Sequence, residues 1–70
     1  MISDRIYAIL VQYPDGLSRD DVATLLNPTA CGARRDDLLY SIDRECAKLA
    51  VDGRIEIKKA DRKPFYKVIL

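Results

Sequence analysis

Six basic side chains crowd residues 54–70: Arg54, Lys58, Lys59, Arg62, Lys63 and Lys67, against Glu56 and Asp61 alone. That segment carries a balance of +4, whereas residues 1–53 hold six basic and nine acidic groups, a balance of −3. Long cationic side chains at this density can neutralise phosphates. They can equally keep the edge of a sheet from aggregating. Further cations, Arg34, Arg35, Arg44 and Lys48, stand in the middle of the chain. The sum over 70 residues is only +1, so bulk charge does not make this a polyanion-coating protein, and any such contact must be oriented.

Other chemistry is poorly supplied. The chain has no His, which removes the usual general base near neutral pH and the commonest zinc ligand. Cys31 and Cys46 are not in C-x-x-C spacing and are too few for a disulfide framework. They read as reduced thiols. Asp36 and Asp37 are adjacent, but neighbours on a helix diverge by about 100°, so they do not converge as a catalytic dyad. There is no phosphate-cradling Gly-rich loop and no Ser–His or Cys–His pair. A chain of this length leaves little room for an enclosed pocket beside its core. The expectation is a protein that binds rather than catalyses, with no cofactor and no metal.

The elements that must position these groups can be read from periodicity. Ile2, Ile6, Ile9, Leu10 and Tyr13 recur at helical spacing, placing a first helix at about 3–13 with Ser3 as its cap, stopped by Tyr13-Pro14-Asp15-Gly16. Ser18 can cap a second helix at about 18–26, with Leu17 and Val22 at the positions of a hydrophobic staple. Asn27-Pro28 ends it. In a third helix, about 32–50, Leu39, Ile42, Cys46 and Leu49 share one face, which makes Cys46 a core residue. The opposite face collects Ala33, Asp37, Tyr40, Arg44 and Lys48, with Arg34 and Ser41 on its flank. Gly53 suits a left-handed C-terminal cap. The period then changes to two: Arg54-Ile55-Glu56-Ile57-Lys58 and Phe65-Tyr66-Lys67-Val68-Ile69-Leu70 form a hairpin over about 54–70, joined by the polar stretch from Lys59 to Pro64. The 49% hydrophobic content excludes a disordered tail, and no apolar run is long enough to span a bilayer. Met1-Ile2-Ser3-Asp4-Arg5 does not lead into a long apolar stretch, so the reading expects a cytoplasmic protein.

This order resembles the winged helix-turn-helix family over nearly the whole chain. The resemblance is carried by Pro14-Asp15-Gly16-Leu17-Ser18 with Val22-Ala23-Thr24-Leu25-Leu26, by Leu39 to Leu49, and by Ala50-Val51-Asp52-Gly53-Arg54-Ile55. The connection Asn27-Pro28-Thr29-Ala30-Cys31-Gly32 is longer than the tight turn of a strict helix-turn-helix. The resemblance implies an α+β fold, a single domain over 1–70 with three helices and a C-terminal two-stranded wing, and a small strand near Gly16-Leu17. It implies double-stranded DNA as partner and transcriptional regulation as role. The third helix would enter the major groove, with Thr29, Arg34, Arg35, Ser41, Arg44 and Lys48 as its candidate contacts, Arg34 near base edges. The wing's Lys58, Lys59, Arg62 and Lys63 would lie on phosphates. Asp20, Asp21, Asp36, Asp37, Asp43 and Glu45 would repel a polyanion. They motivate the rival expectation of a protein-interaction module that docks through the acidic helical face and Tyr40. A homodimer on a two-half-site operator would use the first helix and Val68-Ile69-Leu70.

Overall fold

A computed structural model describes residues 2–69. The elements follow in the order α1 (Ile2–Gln12), β1 (Leu17–Ser18), α2 (Arg19–Leu26), α3 (Ala33–Val51), β2 (Ile55–Ala60) and β3 (Lys63–Val68). This is a small α+β domain of three helices and a three-stranded antiparallel sheet ordered β1-β3-β2. The sheet has one strand more than the hairpin alone. Leu17 and Ser18 pair with Tyr66 and Phe65, which makes β3 the central strand.

Helix α1 already includes Ile2, so Ser3 is a helical residue and not the expected cap. Ile2 packs against the core, which draws it into the helix. The helix stops before Tyr13-Pro14, and the amide of Gly16 donates to the Tyr13 carbonyl at 2.9 Å to turn the chain. Gly16 sits at φ +102°, and a Cβ there would lie 2.3 Å from the Phe65 ring and 3.0 Å from the Tyr66 carbonyl oxygen. No other residue satisfies both the left-handed backbone and this approach to β3.

Ser18 caps α2 as its position predicts, its hydroxyl accepting from the Asp21 amide at 3.2 Å. At the far end of α3, Arg54 N–H donates to Leu49 and Gly53 N–H to Ala50, each at 3.0 Å, with Gly53 at φ +78°. That pairing satisfies carbonyls which the helix end would otherwise leave bare. The core gathers Ile6 and Leu10 from α1, Val22 and Ala23 from α2, Ile42, Cys46 and Leu49 from α3, and Ile55, Tyr66 and Val68 from the sheet. Cys46 is a core residue as its helical position requires. Its thiol is pushed up to about 12, first by burial and then by the carboxylates of Asp43 and Glu45.

The expected dimer surfaces are partly taken into this core, with Val11 of α1 still 44% exposed. Ile6, Leu10 and Val68 all face inward, Ile69 is half-exposed and Leu70 lies outside the described residues. Among the described residues no helix is long and apolar enough to cross a membrane.

Candidate nucleic-acid interface

The hairpin is tighter than its sequence suggests. Its strands run through Lys59↔Pro64 and Ala60↔Lys63, so the polar connection shrinks to Asp61-Arg62. Both residues have positive φ, 52° and 67°, the backbone of a type I′ turn. Asp is common in such turns, but glycine is the usual second residue, and Arg62 stands where it would be. Pro64 is the second pair from the turn. In a two-residue hairpin the nitrogen at that position points away from the partner strand, so the missing N–H removes no ladder bond there.

Side chains alternate across this ribbon. Ile55, Ile57 and Lys59 share one face with Val68, Tyr66 and Pro64, and that face turns toward the helices. Glu56 and Lys58 share the other with Lys67, Phe65 and Lys63. The basic cluster is therefore divided. Lys59 and Arg62 line a cleft of about 320 Å³ together with Arg19, Asp43, Ile57, Pro64 and Tyr66. Lys58 and Lys63 are exposed on the opposite face, Lys58 lying 3.9 Å from Glu56.

At the floor of the cleft, Asp43 holds α2 and β3 to α3. Arg19 donates from Nη1 to one carboxylate oxygen at 2.5 Å, and the buried Tyr66 hydroxyl donates to the other at 2.6 Å. Burial first, and then this hydrogen bond, raises the Tyr66 phenol above its ordinary value of 10.0. Arg19 Nε is buried without a partner among the described residues. Neither Arg19, Asp43 nor Tyr66 announced itself in the sequence as a group with a joint task.

On α3 the predicted contacts fare differently. Arg34 and Arg44 are exposed and form no ion pair among the described residues. Lys48 is exposed and lies 3.6 Å from Glu45. Ser41 is half-buried. Arg35 is turned back onto α2, donating to the Asp20 carbonyl at 3.3 Å and the Thr24 hydroxyl at 3.5 Å, with the Asp20 carboxylate at 3.8 Å. It joins two helices. Thr29 donates to the Asn27 side chain at 3.1 Å within the α2–α3 connection. Asp20, Asp43 and Glu45 thus each have a cationic neighbour, whereas Asp21, Asp36 and Asp37 are exposed without an ion pair among the described residues.

The geometry also sets where these charges lie around α3. Arg34 is nine residues before Asp43, so at 3.6 residues per turn it projects about 180° away from the cleft. Ser41 and Lys48 follow Arg34 at seven-residue intervals along the same flank. That flank also carries Glu45, eleven residues after Arg34, and the C-cap Asp52, so it is mixed in charge; the other flank borders the basic hairpin, and Tyr40 and Arg44 lie between. Tyr40 is 69% exposed.

No protein-family model, no curated protein and no solved structure matches this chain. Cys31 is exposed and Cys46 buried, both unpaired. Among the described residues no three His, Cys, Asp or Glu side chains come together as a metal-holding group.

Proposed function

We propose that the domain is a winged helix that binds double-stranded DNA as a small cytoplasmic transcriptional regulator, with β2 and β3 as its wing. The observation that carries this reading is the distribution of charge about α3. A helix lying in the major groove, about 12 Å wide, presents its two flanks to the two phosphate walls. Here the hairpin serves one wall, with Lys59 and Arg62 on its cleft side and Lys58 and Lys63 on its outer face, while Lys48, 3.6 Å from Glu45, gives the other wall little. Arg34 and Arg44 are the side chains free to reach base edges. The ion pairs of Asp20, Asp43 and Glu45 support the reading, because those carboxylates no longer stand as bare charges facing a polyanion. Arg35 and Thr29 are engaged within the free domain, so they stand behind Arg34 and Arg44 as contacts.

Replacing Lys58, Lys59, Arg62 and Lys63 together with Ala tests the wing. The expected result is weaker binding to duplexes of every sequence and a flatter dependence of affinity on salt. An unchanged salt slope removes the wing from the interface.

A second reading is a protein-interaction module. It is favoured by Tyr40 and Val51, 69% and 87% exposed, and by the unpaired Asp36 and Asp37 on the same helix. On this reading the purified domain leaves duplex DNA unbound at low salt and retains a protein partner that Tyr40→Ala weakens.

A further inference from the structure

The outward face of α3 has an order of its own. Ala33, Asp37, Tyr40, Arg44, Ala47 and Val51 follow one another at alternating spacings of four and three, the spacing of a coiled-coil seam, and all six are exposed. Nothing among the described residues covers them. Ala47, Lys48, Val51 and Asp52 bound a shallow depression at the C-terminal end of this stripe.

We infer that this face pairs with α3 of a second copy of the chain, the two helices running antiparallel about a two-fold axis. The argument is self-complementarity. In an antiparallel pair centred between Tyr40 and Arg44, each Tyr40 ring meets the other copy's Arg44 guanidinium, a cation–π pairing made twice. Each Asp37 falls beside the other copy's Ala47 and Lys48, so a carboxylate meets an ammonium on both sides of the axis. The small Ala33 side chain seats against the other copy's Val51, which is 87% exposed. A parallel pair would instead set Asp37 against Asp37 and Arg44 against Arg44, like charges in register. The antiparallel arrangement removes that repulsion, and this is why a second copy fits the stripe.

A single helix pair makes a small interface, at the low end for specific association, so the dimer exchanges rapidly with monomer. The pairing does not rest on the DNA reading. If both hold, they compete for one face: the copy whose α3 is paired cannot lay that helix in a groove.

Sedimentation velocity of the full chain from micromolar to millimolar concentration tests this, with Asp37→Lys, Lys48→Asp, the double exchange and Val51→Lys. All four changes lie on the exposed face, and circular dichroism melts confirm that each variant is folded. The wild-type chain is expected to show a monomer–dimer equilibrium. Each single reversal should weaken it by about tenfold, because symmetry applies every change twice. The double exchange should restore it, and Val51→Lys should leave monomer. A wild-type chain that stays monomeric at millimolar concentration overturns the proposal. So does dimerisation indifferent to the single reversals, or a double exchange that fails to restore it. Failure of duplex binding with this pattern intact counts against the DNA reading alone.

Discussion

Arg62 holds a left-handed backbone, φ 67°, at the tip of the hairpin where glycine would be less strained. On the DNA reading a long cation in that position serves a phosphate contact and not the turn it closes. Arg62→Gly is therefore expected to stabilise the fold by roughly 0.5–1 kcal/mol in denaturant titration, relief of strain exceeding the added freedom of the unfolded chain, while weakening duplex binding. Gly16→Ala should do the reverse, destabilising by more than about 1 kcal/mol, since the new methyl meets the Phe65 ring and the Tyr66 carbonyl. Asp43→Ala leaves the Tyr66 hydroxyl without its acceptor. The loss should be roughly 1–2 kcal/mol, mostly from that buried hydroxyl, because the part-exposed Arg19 can turn to water. Cys46 and Tyr66 also set an alkaline limit. Both are held protonated in the folded state, with values raised above 9.0 and 10.0. The stability they contribute is therefore complete below pH 9 and lost as the pH rises toward 12. Melting temperature should be level between neutral pH and about 9 as far as these two groups govern it, then fall, and Cys46→Ala should soften the onset of that fall.

At the scale of the elements, local signals are legible where the physics is local. The Ser18 cap, the Gly53 left-handed exit and the Leu39, Ile42, Cys46, Leu49 stripe each follow from neighbours within a helical turn or two, and each element forms close to its expected bounds. The hairpin connection is shorter than its composition suggests because its ends are defined across the ladder. Lys59 and Lys63 look like loop residues in sequence, yet cross-strand pairing carries both into strands and leaves two residues to turn. Strand β1 is a pair of residues that exists only because β3 lies beside it. In the candidate interface, the exposure of Arg34 and Arg44 follows from the helical angle, whereas the turn of Arg35 back onto Asp20 and Thr24 depends on how α2 packs against α3. Asp43 was not readable. In sequence it is one more acid on the helix, and its partners Arg19 and Tyr66 lie 24 and 23 residues away.

For the whole molecule, the near-zero net charge conceals a helical body at −3 and a hairpin segment at +4. Folding refines that division. Ion pairs quiet Asp20, Asp43 and Glu45, while Arg34 and Arg44 stay open on α3 and Arg62 at the hairpin tip. On the DNA reading a domain 33 × 28 × 19 Å across reaches few phosphates, so its affinity should be modest and its salt slope set by that small number of contacts. The most direct test titrates a labelled random duplex with the wild-type protein at low salt and repeats the titration as salt is raised. The DNA reading predicts saturable binding at low salt, with the logarithm of affinity falling linearly with the logarithm of salt. No binding at low salt, or an affinity indifferent to salt, would contradict it.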